Sequence, residues 1–438
     1  MRSLPRIETM PTVVQRPVDL SAITSAAEIL EDIRTNGEGA IRRFSEHYGD
    51  LFPGDQIVYD REELGKALDR IGPDERRALM SVAARIQHFA EAQREALVDV
   101  DVEVIGGRAG HRWLPVSTVG AYAPGGRHPL PSSVLMTVIP AWVAGVKTVW
   151  VASPRPTEVT MAAAAVAGAD GLLAVGGAQA IGALAFGSLS PACDLIVGPG
   201  NKYVTAAKKL LFGEVGIDGL AGPSEILVIA DDQADSALVA ADLLAQAEHD
   251  IDALPLLVTT SLRLANDVDH QIELQLSDLP TSAVARQALT NGFSLVVGSL
   301  DEAVSAAEQV APEHLALHVE QPGDVLGKLT SYGSVFLGGQ SAEAFADYGV
   351  GPNHVLPTGG GARFQSGLSV MTFLKAPTWS RLDDPSALIE DTVLLARLEG
   401  LEAHARAAQI RVDPQTPDHP ATRARRPNPE SGHSPSLG

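Results

Sequence analysis

At 438 residues and a formal charge of −21, the chain is long enough for about two or three domains, and its net field repels a phosphate backbone. Hydrophobic residues make up 45% and charged residues 20%, the composition of a globular α/β protein. Nucleic acid and anionic membranes are excluded as partners and small molecules remain, while the single cysteine, Cys193, rules out an intrachain disulfide and fits a reducing compartment, the cytoplasm.

Met1 to Pro17 holds three prolines and no sustained period, so it is expected to be an arm ordered only by lying on something else. Helical pattern begins after Asp19. Ser25 to Arg34 and Glu38 to His47 read as helices separated by the stop signal Asn36-Gly37, and a longer helix runs from Pro73 to about Val98 with Asp74 and Glu75 in its first turn. Val119-Gly-Ala-Tyr-Ala-Pro-Gly-Gly126 then reads as a strand entering a Gly-rich loop. The most apolar run, Val134 to Val146, is interrupted by Pro140 and stops at Lys147, well short of the roughly 20 residues of a membrane span. No signal peptide is visible at Met1.

Short apolar strands separated by helical stretches follow at Thr148 to Ala152, Leu172 to Val175, Leu195 to Val197, Ile226 to Ala230, Leu256 to Thr259, Leu295 to Val297, Leu315 to Val319 and Val335 to Leu337. This alternation, on both sides of Gly222-Pro-Ser224, predicts an α/β fold with parallel sheets: two doubly wound, Rossmann-like domains with a ligand cleft between them. From Ser386 to Ile410 the texture is helical, interrupted by Gly400, and Asp413 to Gly438 contains six prolines and is expected to be disordered. The expected organisation is a small N-terminal arm over 1–18 and a first α/β domain assembled from 19–121 and 226–368. A second, nucleotide-binding α/β domain covers 122–225, a helical C-terminal appendage 369–412 and a tail 413–438.

No Gly-x-Gly-x-x-Gly or phosphate-loop fingerprint occurs. Gly125-Gly126, Gly176-Gly177-Ala178-Gln179 and Gly198-Pro-Gly200-Asn201 each follow a strand, where a helix N-terminus could receive a pyrophosphate; each also reads as an ordinary turn. The chemistry gathers elsewhere. Gln246 and His249 lie three apart near the end of a helix starting at about Asp235, so they project from nearly one face. With Asp347 and His404 they would offer an amide oxygen, two imidazoles and a carboxylate, the donor set of an open catalytic Zn²⁺ site that would also serve Mn²⁺ or Co²⁺. Each has a plainer reading: a solvated pair for Gln246 and His249, a helix cap for Asp347, a surface residue for His404. Glu313 and His314 stand between Pro312 and an apolar strand, and both can face one cleft only if they lie on the loop. Glu399 and His404 would be about 140° apart on an unbroken helix, which Gly400 can interrupt.

Taken together and in order, these stretches resemble the histidinol dehydrogenase family from roughly Asp19 to Arg411. The resemblance rests on Tyr122-Ala-Pro-Gly-Gly126, Pro131-Ser-Ser-Val-Leu-Met136, Val175-Gly-Gly-Ala-Gln-Ala-Ile-Gly182, Gly198-Pro-Gly-Asn201, Ala221-Gly-Pro-Ser-Glu225, Gln246-Ala-Glu-His249, Ala311-Pro-Glu-His-Leu315, Asp347-Tyr348, Gly351-Pro-Asn-His-Val-Leu-Pro-Thr358 and Glu399-Gly400-Leu401 with His404. It implies a zinc-dependent homodimer that oxidises the amino alcohol L-histidinol to L-histidine in two successive NAD-dependent steps through a held aldehyde.

By the same resemblance Gln246, His249, Asp347 and His404 are the zinc ligands, with His404 reaching the partner's site. Glu313 and His314 are the acid/base pair. His314 would take the alcohol proton, and Glu313 would activate the water that hydrates the aldehyde. Ser224, His354 and Glu399 are implied as substrate contacts beside the metal ligands and His314, and Tyr122, Gln179 and Asn201 as dinucleotide contacts. No family signature covers Ala376 to Ser386. A paralogue acting on another amino alcohol or a diol would keep the same core, but Ser224, His354 and Glu399 favour histidinol. A non-catalytic zinc- or nucleotide-binding protein would have no use for an intact Glu313-His314.

Overall fold

All six residues of the strand Glu225–Ala230 are buried. Ile226, Val228 and Ala230 pack into one apolar cluster and Leu227 and Ile229 into another. A strand that is apolar on both faces must be covered on both, so it takes an interior place in a parallel sheet. The computed structural model, which describes residues 4–11, 18–125 and 129–411, shows this sheet in full. Its strand order is Arg6–Ile7, Phe293–Val296, Leu254–Thr259, Glu225–Ala230, His314–His318 and Ser334–Leu337, and every neighbouring pair is parallel. The helices Ser236–Ala247 and Leu262–Leu276 cover one face and Leu300–Val310 the other.

A second six-stranded sheet has the order Gly216–Ile217, Leu195–Val197, Thr118–Tyr122, Thr148–Ala152, Gly171–Leu173 and Val58–Asp60. It is parallel except for Val58–Asp60, which runs antiparallel to Gly171–Leu173. The chain is thus a mixed α/β protein with parallel sheets. Both sheets belong to one compact unit over 1–96 and 115–374.

The sheets correct the expected grouping of 19–121 with 226–368. Helix Leu20–Asn36 buries Ala26, Ile29 and Ile33 in the cluster that holds Ile181 and Ile196, and helix Pro73–Glu95 buries Leu79 and Ile86 in the cluster that holds Met136 and Val149. Thr118–Tyr122 is itself an interior strand of the sheet that carries 148–217. Amphipathic helices announce an apolar face but not which sheet receives it. The return segment near the end of the unit also rejoins that side, because Val355, Leu368, Val370 and Phe373 lie in the same cluster. The described part of the arm does lie on something: Arg6 and Ile7 pair with Ser294 and Leu295, and Leu4 is buried. Gly126 and the tail expected to be disordered from Asp413 lie outside the described residues.

The second unit comprises 97–114 and the chain from Lys375. The expected appendage over 369–412 is therefore incomplete as read. Val100–Val104, Gly107–His111 and Thr378–Leu382 form an antiparallel three-stranded sheet, so the stretch without a signature contributes a strand. Helices Ile389–Leu398 and Glu402–Gln409 pack through Val393, Ala396 and Ala405, and Gly400, at φ +75°, makes the break between them. Among the described residues no helix is long and apolar enough to cross a membrane.

Candidate active site

In a βα unit the helix runs back along its strand, so the end of helix Ser236–Ala247 returns to the level where strand Glu225–Ala230 began. Gln246 in its last turn and His249 just beyond it thereby reach the N-terminal edge of the sheet, next to Ser224, Glu225, Glu313 and His314. The other sheet meets them with its C-terminal edge, from which Pro124 and the Pro199-Gly200 turn follow strands Thr118–Tyr122 and Leu195–Val197. Between these edges lies a cavity of about 260 Å³ lined by residues including Ser224, His249, Glu313, His314, Asp347 and His354. Doubly wound sheets ordinarily bind ligands at their C-terminal edges. Here only one sheet obeys that rule, and the other brings its acids and bases on the opposite edge.

Glu313 lies immediately before strand His314–His318, on the loop, so it and His314 line one cavity. The two strand ends are tied reciprocally: Glu225 N–H donates to Glu313 Oε2 at 2.9 Å, and Glu313 N–H to Glu225 Oε1 at 3.3 Å. His314 Nδ1 lies 3.2 Å from the Glu225 main-chain oxygen. A carbonyl can only accept, so Nδ1 carries the proton and Nε2 is the bare nitrogen. Nε2 is buried without a hydrogen-bond partner. Burial lowers the His314 pKa to about 4, which keeps the imidazole neutral near pH 7 and able to take a proton. Burial also holds the Glu313 and Glu343 carboxyls well above the usual range, and nearby carboxylates, Glu225 and Asp347 for Glu313 and Asp347 and Glu313 for Glu343, push the same way.

Glu225 is pushed up to about 7, by burial first, against the opposing N–H groups of Gly359 and Glu313. A carboxyl whose proton is held more tightly in the folded state contributes stability at low pH and loses it as pH rises from about 4.5 to about 7. Glu225→Gln cannot ionise and escapes that loss. Its stability relative to the parent should therefore rise by up to about 3 kcal/mol across this window, measured by urea unfolding at a series of pH values. A difference that does not vary with pH would show that Glu225 titrates as an ordinary carboxyl.

Three of the four expected metal ligands meet. His249 Nε2 is 3.5 Å from Asp347 Oδ2, and Gln246 Nε2 is 3.4 Å from His249 Nδ1. Gln246 is wholly buried, yet its Oε1 has no hydrogen-bond partner, and the His249 side chain is 44% exposed and open to a ligand. A bare amide oxygen beside an imidazole and a carboxylate fits a divalent cation such as Zn²⁺. Asp347 also contacts His354, whose Nδ1 donates to the Asp347 main-chain oxygen at 3.2 Å while its Nε2 sits 3.4 Å from Ser133 Oγ. Burial opposes ionisation of Asp347, but His249 and His354 outweigh it and hold the carboxyl below the usual range. The Asp347 carboxylate in turn raises the His249 pKa. Glu399 and His404 stand on the second unit, both exposed, one ending helix Ile389–Leu398 and the other in helix Glu402–Gln409.

The expected cofactor contacts are engaged within the fold. Tyr122 and Gln179 are buried. Gly177 N–H donates to Tyr122 Oη at 3.2 Å, while Asp50 Oδ2 accepts from Gly176 N–H at 3.0 Å and Gln179 Nε2 at 3.1 Å. The helix N-terminus at Gly176-Gly177, read as a possible pyrophosphate receptor, is closed by the chain's own carboxylate. Asn201 is exposed, and its Oδ1 caps helix Lys202–Leu211 through the N–H groups of Tyr203 and Val204. Gly198, at φ +110°, lets the neighbouring turn approach Tyr122, whose main-chain oxygen would lie 2.0 Å from an added Cβ. That turn is held by a buried ion pair: Gly198 N–H donates to Asp218 at 2.7 Å, and Lys208, paired with Asp218, donates to the Gly198 oxygen at 3.1 Å.

Sequence reasoning assigned no role to Glu225, Glu343, Asp50 or the Lys208–Asp218 pair. Only Glu343 left a local signal, four residues before Asp347 on one helical face.

The histidinol dehydrogenase family model matches residues 15–412. Histidinol dehydrogenase of Thermus thermophilus is 46% identical over 388 residues, 87% of this chain and 93% of that protein. The enzyme of Halobacterium salinarum is 45% identical over 414 residues, 91% and 95% of the two. The crystal structure of histidinol dehydrogenase from Elizabethkingia anophelis superposes with a TM-score of 0.87 at 34% identity, covering 94% of this chain and 98% of that one. With a cavity that gathers carboxyls, imidazoles and a bare amide oxygen, and with relatives matched over nearly their whole length, the chain is an oxidoreductase that belongs to the histidinol dehydrogenase family.

Proposed function

We propose that this enzyme oxidises L-histidinol to L-histidine in two NAD-dependent steps through the aldehyde, with a zinc ion held by Gln246, His249 and Asp347 and completed by His404 from the second copy of a homodimer. The observation that carries the reading is the tautomer of His314: Nδ1–H is committed to the Glu225 oxygen and Nε2 is bare, beside Glu313 and the cavity. In each oxidation His314 Nε2 takes the proton from a substrate oxygen, and NAD, when bound, would supply the hydride acceptor. Between them Glu313 takes a proton from the water that hydrates the aldehyde. Zinc would supply a Lewis acid and an anchor for the substrate's nitrogen groups. Ser224, His354 and Glu399 are assigned to substrate, and Tyr122, Gln179 and Asn201 to the dinucleotide region. The exposure of Glu399 and His404 on the second unit supports their delivery to another chain. The buried, unpaired Cys193 is at home in the reducing cytoplasm.

The test is incubation of the metal-replete protein with histidinol and NAD. Two reduced cofactors per histidinol are expected, and no reduction in the presence of zinc rejects histidinol and turns the search to other amino alcohols or diols. Asp347→Ala and His249→Ala should each lose most of the bound metal and nearly all turnover while keeping the fold, because each removes one bond from an open site with few protein ligands. Full metal occupancy in either variant, read by elemental analysis, removes that residue from the coordination sphere.

A further inference from the structure

Glu343 is 1% exposed, and neither of its carboxyl oxygens has a hydrogen-bond partner among the described residues. A buried polar group without a partner is a cost that folded proteins rarely tolerate without a reason. Its surroundings supply one. Glu343 Oε1 lies 3.3 Å from His314 Nδ1, nearly as close as the Glu225 oxygen that receives the Nδ1 proton at 3.2 Å. Glu343 begins the short helix Glu343–Asp347, which brings a ligand atom from each of His314, Glu343 and Asp347 within 4.8 Å of one another. Phe336 stacks against the His314 ring at 6.0 Å between centroids, so imidazole and carboxyl share an enclosed, partly apolar space.

We propose that Glu343 is the positioning residue for His314, an acceptor held against Nδ1 that strengthens its hold when Nε2 gains the substrate's proton. In the resting state the ring is neutral and the Glu225 oxygen alone fixes the tautomer. As the substrate O–H bond breaks, its proton forms the new Nε2–H bond, and the electron pair of the C–H bond leaves as hydride to NAD. The ring is then an imidazolium with a charged Nδ1–H. A bond from the charged Nδ1–H to the Glu343 oxygen is roughly twice as strong as one from the neutral ring, and in an enclosed site it is screened little. The contact therefore favours the protonated base over the resting one, which is how a group that never touches substrate can raise kcat. The alternative use of the same atoms is a metal ligand set of His314, Glu343 and Asp347, and metal content separates the two.

The proposal rests on the histidinol reading, so turnover of the unsubstituted enzyme is established first; its absence would sink that reading and not this one. In the metal-loaded enzyme, Glu343→Leu, which removes the acceptor, should lower kcat by about 10- to 100-fold while leaving the KM for histidinol within about twofold and the bound metal unchanged. Glu343→Gln, whose amide oxygen can still accept from Nδ1, should lower kcat less than Leu does. In protein without substrate, labelled at its histidines, the Nδ1–H signal of His314, assigned by its loss in His314→Gln, should move in Glu343→Leu. Wild-type kcat in the Leu variant, a rise in KM with kcat unchanged, or metal lost in step with activity would each overturn the proposal. Failure of both variants to fold would make Glu343 a structural group and overturn it as well.

Discussion

His314→Gln should lower turnover of both histidinol and the intermediate aldehyde by about 10² to 10⁴, the usual contribution of a general base. The amide fills similar space and can still donate to the Glu225 oxygen, but it cannot take a proton at the position of Nε2. Both oxidations remove a proton from a substrate oxygen as hydride leaves, so both should suffer. Glu313→Gln should behave differently. If Glu313 activates the hydrating water, its loss slows the aldehyde-to-acid half more than the alcohol-to-aldehyde half, because only the former consumes water. Supplying the alcohol and the aldehyde separately measures the two halves. Equal losses in Glu313→Gln would mean that Glu313 and His314 act as one unit, both tied to Glu225, which exchanges hydrogen bonds with Glu313 and accepts from His314 Nδ1.

What the sequence revealed about the fold followed from local physics. Interior parallel strands such as Glu225–Ala230 are continuous apolar runs, and helix ends carry their own signals, Asp235 capping Ser236–Ala247 and Gly37 closing Leu20–Asn36. The strand Val100–Val104 escaped notice because all five of its residues are exposed, leaving no buried face to set a pattern. The grouping of helices with sheets was misread for a related reason: an apolar helix face does not name its partner. Gln246, His249, Glu313, His314 and Asp347 were legible as chemistry-bearing side chains in short motifs. Asp50, which meets Gly176 from 126 residues away, was not, because nothing local distinguishes a carboxylate that closes a distant helix from one in water.

The C-terminal edge of the sheet containing Thr118–Tyr122 is where a dinucleotide would lie in a doubly wound fold, yet one helix N-terminus at that edge is already filled by Asp50 and Tyr122. Gly-rich turns remain useful there for a second reason, close packing of backbone on backbone, as at Gly198 against Tyr122. At Gly198 the glycine is therefore accounted for by the packing of the fold itself.

The Lys208–Asp218 pair carries the second large expectation. Both side chains are nearly inaccessible, at 4% and 7%, and together they hold the N–H and the oxygen of Gly198. Replacing Lys208 with Met keeps most of the side chain's length but leaves the buried Asp218 carboxylate, among the described residues, with only the Gly198 N–H for compensation. Removing one partner of a buried ion pair costs about 3 to 5 kcal/mol, a large share of the roughly 5 to 15 kcal/mol by which a domain is stable. The Lys208→Met, Asp218→Asn double variant removes both charges and should recover part of that loss, since the penalty comes from the orphaned carboxylate more than from the missing attraction. Urea unfolding of the parent, both single variants and the double variant measures the coupling. Because the pair anchors the turn leading to Asn201, the KM for NAD should rise in Lys208→Met while the KM for histidinol changes little. A single variant within about 1 kcal/mol of the parent would mean that water or a neighbouring group satisfies Asp218, and the pair would then have no part in holding the turn.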